Sequence, residues 1–311
     1  MLLFSRPHAS SLISPCRLVV TSPRSFITVI SRTVQEFLDD QPFDLAGALS
    51  YYTLLSIAPL LLVVIAVAGL VFGEEAVRGQ VVTQIADLVG RQSAQLIQSM
   101  LASSYHPERG MLAAVIGIAL VVFGATTVFA QLQTSLNRIW HVEAAPDNAL
   151  WGFIRHRLLS VGLVLTIALL LLVSLVITAL LAGFQGYLNA SFPKGALVWQ
   201  VLNVLVSLGL ITVLIAMIFK FLPDAKIEWR DTWLGAFITS LLFTIGKFLI
   251  GLYLGQASVG STYGAAGSAV VLMIWIYYAS LILFFGAKIT QVMARSRGAR
   301  IVPSAHAHAV E

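Results

Sequence analysis

The 311-residue chain is 58% hydrophobic and 11% charged, against roughly 25% charged residues in a typical soluble domain. That little charge cannot cover an aqueous surface, so lipid replaces much of the solvent and a large soluble fold is set aside. The net charge of +5 is spread over short loops instead of one patch, which speaks for membrane topology and against specific nucleic-acid binding.

In chain order, residues 1–24 are rich in Ser, Pro and Arg and hold no acidic residue. They lack a long apolar core with a cleavage site, and they read as a flexible arm instead of a signal peptide. The single cysteine, Cys16, leaves no internal disulfide and no CxxC motif. Over 25–41, Phe26, Ile30, Val34, Phe37 and Leu38 recur near one helical face, with Arg32, Glu36 and Asp39 elsewhere. This is the pattern of an interfacial helix.

Six apolar runs follow, at about 45–72, 111–137, 158–182, 196–219, 232–253 and 265–289. Each meets the roughly 20 residues a helix needs to cross a bilayer. The fold class expected is all-α: a polytopic membrane protein with six transmembrane helices and additional amphipathic helices. Residues 25–292 form its single membrane domain, and 293–311 a flexible basic tail. Pro59 removes one backbone hydrogen bond inside the first run and predicts a kink. Between the first two runs, 74–102 sets Val77, Val81, Ile85, Leu88, Leu96 and Met100 among Gln, Asp and Arg. Amphipathic helices there would cover the bundle or lie along lipid.

Fourteen Lys and Arg residues fall in the N-terminal arm, the second and fourth connections and the C-terminal end. Four fall on the other side, and Lys247 stands within a span. The asymmetry places both termini in the cytoplasm.

Several polar groups inside the spans are candidates for a cavity. Tyr52 and Ser56 share a face of the first span and have hydroxyls to satisfy, either in a cavity or in a packed tyrosine cluster. Gln131, Thr134 and Arg138 continue one face from Thr127, with Gln133 and Asn137 on a neighbouring stripe. That face suits a polar entrance, and it equally suits an anchor in which Trp140 marks the headgroup level. Lys247 lies about 9 Å below the outer end of the fifth span. Its ammonium either enters a polar cavity, at the level of Asn203 on the fourth span, or snorkels to the interface. Asn203 alternatively makes an interhelical hydrogen bond. The pairs Gly251/Gly255 and Gly260/Gly264, continued by Ser268, have the spacing of close helix contact.

Enzymatic motifs are missing from the sequence. There is no GxxxxGK[ST] phosphate loop, no HExxH and no acidic pair within a span. No catalytic, cofactor-binding or metal-ligating residue is assigned, and no cofactor is expected. Asp44 and Asp231 stand at span starts, where a carboxylate favours the helix N-terminus.

Four segments carry a resemblance: ALSYYTLLSIAPLLL at 48–62, FAQLQTSLNRIW at 129–140, FKFLPDAKIEWRD at 219–231 and STYGAAGSAVVLMIWIYYASLILFFGAK at 261–288. Together they resemble the YihY/BrkB family of bacterial inner-membrane proteins, over roughly 37–292. The resemblance implies a six-helix integral membrane protein. It carries an older ribonuclease label and the name virulence factor, but the chain offers no residues arranged to activate a nucleophile and stabilise phosphoryl transfer. Family sequences often hold an acidic residue after FGA, where this chain has Lys288 at the boundary, a site where snorkelling would satisfy its charge.

The expectation is a transporter-like protein: a secondary permease, channel or exporter. The alternative is a non-enzymatic, envelope-organising protein that binds lipid or protein. Membrane lipids are the expected partners, with a membrane-protein partner or homo-oligomer permitted by the small-residue faces.

Overall fold

The computed structural model describes residues 23–73, 75, 78–79, 82–83, 86, 91–104, 111–144, 196–256, 266–298, 302–303 and 307–309. Seven helices organise them: α1 Pro23–Asp39, α2 Pro42–Phe72, α3 Arg91–Ser104, α4 Met111–Trp140, α5 Ala196–Phe221, α6 Trp229–Gln256 and α7 Gly267–Ser296. Five of the six expected runs therefore appear as helices, and α7 continues to Ser296. The run at 158–182 lies outside the described residues, as do the arm at 1–22, Gly260 and Gly264. Among the described residues, four helices contain stretches long and apolar enough to cross a membrane: Pro42–Leu62, Val204–Phe221, Trp229–Ile250 and Gly267–Ser296. The chain is a helical, polytopic membrane protein.

Two short antiparallel ladders complete the described residues. Val142–Ala144 (β1) pairs with Ala307–Ala309 (β4), and Ala225–Lys226 (β2) with Val302–Pro303 (β3). Both draw the C-terminal segment onto connections that follow α4 and α5.

In lipid, burying an apolar side chain gains little over leaving it in hydrocarbon, so helix association depends on close packing. The α6–α7 contact shows how this chain achieves it. A Cβ on Gly235 would stand 1.7 Å from Thr290 Oγ1, and one on Gly286 would stand 1.8 Å from Thr239 Oγ1. Each threonine thus fills a notch on the other helix. Its hydroxyl donates to the glycine carbonyl one turn back on its own helix, Thr239 to Gly235 and Thr290 to Gly286. Higher on the same pair, Gly246 receives Tyr278 and Ile282, and Trp275 meets Phe243 edge-on at 6.0 Å. Between α5 and α6, the buried Thr212 and Ser240 hydroxyls lie 2.7 Å apart.

The helix α2 runs unbroken through Pro59, whose ring sits against Gly124 of α4. On α3, Ile97 and Leu101 bury against Ile65 of α2 and Leu272 and Ile276 of α7. The second half of the outer amphipathic region therefore covers the bundle. A second, larger core gathers Leu45 and Leu49, Leu132 and Leu136, Phe219 and Phe284 from four helices at the other end. On the outside, α6 exposes Trp233, Phe237, Leu241, Ile245 and Phe248 at near four-residue spacing. That apolar stripe suits lipid.

Candidate functional site at the polar end of the bundle

The helices α1 and α2 meet at Asp40 and Gln41, and Gln41 turns the chain with a left-handed φ of 56°. His141 makes a similar turn directly after α4, also at φ 56°. Few non-glycine residues adopt this conformation; Gln41 accepts from Arg138 of α4, and His141 stands beside Lys288 of α7. Asp40 is pulled inward with Thr33 and Phe37, and the Phe37 ring packs edge-on against Phe285 at 5.3 Å. On α1, then, Phe37 belongs to the buried face, while Ile30, Val34 and Leu38 form a separate exposed stripe.

Lys288 meets this junction. Its side chain is 0% exposed, with Nζ 2.9 Å from Asp40 Oδ2 and 3.5 Å from Glu36 Oε2. It does not reach the boundary to snorkel. Its methylenes are enclosed, and two carboxylates from the α1 side neutralise its head. His141 Nε2 lies 3.4 Å from the same ammonium and 3.1 Å from Asp40 Oδ1. The Lys288–Asp40 contact is a charge pair with angles outside those of a regular hydrogen bond.

Further out, Arg32 Nε donates to Glu36 Oε1 at 2.6 Å, and Arg295 Nη1 approaches Glu36 Oε2 at 3.5 Å. Partial burial raises the Glu36 pKa. The Arg32 hydrogen bond and the charges of Lys288, Arg32 and Arg295 together outweigh it, so the carboxyl sits below its ordinary value.

A second cluster joins α4 to the turn after α5. Asn137 Nδ2 donates to Asp224 Oδ2 at 2.9 Å, and Asn137 Oδ1 accepts from the Asp224 backbone N–H at 2.8 Å. Gln133 Nε2 donates to the same carboxylate oxygen at 3.1 Å. All three residues are buried. A third contact ties α6 to α7, where Arg297 donates to the buried Asp231. Asp231 thus serves both the first turn of α6 and an ion pair that spacing alone does not show.

The residues expected from the sequence are distributed as follows. Ser56 is buried, and Tyr52 is half-buried, its ring edge-on to the exposed Tyr51 at 5.6 Å. Gln131 is half-buried and donates to Ser135 Oγ at 3.4 Å. Thr134 and Arg138 are exposed. Thr134 donates to the Ala130 carbonyl, and Arg138 Nη2 to Gln41 Oε1. Trp140 is buried at the α4 terminus. Lys247 is exposed, between Ile245 and Phe248. The Asn203 side chain lies outside the described residues. Arg138 and Gln41 are brought to the α1–α2 junction, while Lys247 stands exposed on α6, off the Trp233–Phe248 stripe.

Residues 33–311 match a family described as Virulence factor BrkB. Among curated proteins, the chain is 26% identical to a UPF0761 membrane protein of Verminephrobacter eiseniae, across 79% of this chain and 57% of that one. It is 24% identical to one from Pseudoalteromonas translucida, across 83% of each. It is 29% identical to one from Psychromonas ingrahamii, across 80% of this chain and 81% of the relative. The chain thus spans little more than half the length of the first of these. No solved structure matches it.

Proposed function

The chain belongs to the virulence factor BrkB family, and on that premise we propose that it is a transporter-like protein of the bacterial inner membrane. Its activity is that of a secondary permease, channel or exporter whose polar end is closed by the Lys288 cluster. One observation carries this: a fully buried lysine near the end of a spanning helix, held by two carboxylates from α1 and its junction with α2. Ionisable groups in membrane helices are costly, and they mark pathways and gates more often than plain scaffolds. The sequence holds no ATP-binding loop, so it carries no internal ATP motor. The relatives' names carry no enzymatic activity, and no reaction is proposed.

Six crossings fit the ends of the described helices. Both α4 and α5 finish at the polar end, a reading supported by Arg138 donating to Gln41 and by Asn137 donating to Asp224 in the turn after α5. An odd number of crossings between them fits that arrangement, and the sequence offers one apolar run there, at 158–182. With the basic residues concentrated at this end, both termini face the cytoplasm.

The direct test is flux. Purified protein in liposomes is offered labelled anions, cations and lipid headgroups, with folding checked by monodisperse elution. Protein-dependent, saturable movement of one class supports the proposal, and no movement across the whole panel removes it. The envelope-organising alternative draws on the exposed stripe Ile30, Val34 and Leu38 and on the exposed position of Lys247. It gains if lipid or protein copurifies stoichiometrically while flux is absent.

A further inference from the structure

His141 Nε2 stands within reach of a cation and an anion at once, 3.4 Å from Lys288 Nζ and 3.1 Å from Asp40 Oδ1. A neutral imidazole nitrogen carries either a proton or a lone pair. With the lone pair at Nε2, it accepts from Lys288 and turns that pair against an Asp40 oxygen. With the proton there, it donates to Asp40 and directs N–H against the ammonium. Neither tautomer satisfies both neighbours. A doubly protonated ring satisfies Asp40 fully and places a second full positive charge beside Lys288.

The surrounding charges set what that added proton does. From α1 and its junction come Arg32, Glu36, Asp39 and Asp40; from the α4 side Arg138, His141 and Glu143; from α7 Lys288 and Arg295. Around Lys288 itself, Asp40 and Glu36 are the facing carboxylates, and Glu36 is shared with Arg32 and Arg295. A charged imidazole competes with Lys288 for Asp40 and repels the ammonium. The ring is 39% exposed while Lys288 is sealed, which gives the proton an entry from water that the lysine lacks.

Resting on the transport function proposed above, we propose that His141, with Asp40 and Lys288, is a proton-binding site, and that the proton is the ion that gates this end of the bundle. Protonation of His141 detaches Lys288 from Asp40. The α1–α2 junction then separates from α7, which stays locked to α6 through the Gly235–Thr290 and Gly286–Thr239 notches. No covalent step is involved; one proton passes from water to the imidazole and returns.

The test measures distance, independently of any substrate. Spin labels are placed on full-length protein through Gln35→Cys on α1 and Arg230→Cys on α6, both exposed positions, in a Cys16→Ser background. Distances are compared in lipid nanodiscs at about pH 8 and about pH 5.5, which bracket the range where imidazoles charge. The wild-type pair lengthens by about 2 Å or more at the lower pH. His141→Gln stays short at both pH values, and His141→Arg, permanently charged, is long at both. An unchanged wild-type distance, or the same pH shift in His141→Gln, overturns the proposal. A His141-dependent shift without flux of any solute keeps the proton site and removes the transport function. Flux with no His141 dependence does the reverse.

Discussion

Lys288→Met is the most informative single change. It removes the cation from a carboxylate that is 8% exposed and leaves the chain length of the side chain nearly unchanged. At 2.9 Å the gross attraction is about 6 kcal/mol for an effective dielectric of 20. Much of that offsets the cost of taking both ions out of water, and removing one partner of a buried pair typically costs about 3–5 kcal/mol. His141 remains 3.1 Å from Asp40 and compensates in part, so the expected loss lies at the lower end, about 3 kcal/mol. At about 2–4 °C per kcal/mol for a chain of this size, the midpoint of aggregation in detergent falls by about 6–12 °C. Adding Asp40→Asn to Lys288→Met restores about half of that, because the orphaned charge is gone. A loss under about 1 kcal/mol, or losses from the two substitutions that simply add, would refute the pairing as the tie between α7 and the α1–α2 junction. Lys288→Glu, which brings in the acidic residue often seen after FGA, places a third carboxylate beside Glu36 and Asp40 and destabilises more than Met does.

Three further outcomes follow from the packing and charge. Gly286→Ala drives a methyl to 1.8 Å from Thr239 Oγ1, beyond the usual overpacking cost of about 1–3 kcal/mol, and Thr239→Ala in the same protein relieves part of the loss; both are read by thermal stability in detergent. Asn137→Leu forfeits two hydrogen bonds and leaves a buried Asp224 carboxylate under-satisfied, at about 1–3 kcal/mol, measured in the same way. Because the folded state holds the Glu36 pKa below its ordinary 4.5, its contribution is present above that value and is lost as pH falls through the lower folded value. Stability therefore drops as pH falls below 4.5, and Glu36→Gln flattens that part of the profile.

The helices were legible from apolar length alone, since lipid demands about 20 satisfied residues per crossing whatever their identity. The placement of α2 and α4–α7 needed nothing more. Contacts between distant parts of the chain were not legible. Lys288 sits beside apolar residues in sequence and at the end of a span, where snorkelling is the default; its partners, Glu36 and Asp40, lie at the opposite end of the chain. On α4 two polar stripes compete at similar spacing. Asp224, in the turn after α5, decides that Gln133 and Asn137 face inward while Thr134 and Arg138 face out. The spacing that builds the α6–α7 interface was visible as glycine followed four residues later by threonine, at Gly235/Thr239 and Gly286/Thr290. A search for paired glycines passes over it, because in this interface the knob and the notch come from different helices.

The most direct measurement is gradient-driven uptake into proteoliposomes containing equal amounts of folded wild-type and His141→Arg protein. The expected result is protein-dependent flux of at least one solute class, higher in His141→Arg because its closed end is held open. Equal absence of flux in both proteins, across anions, cations and lipid headgroups, would contradict a transport bundle gated at Lys288.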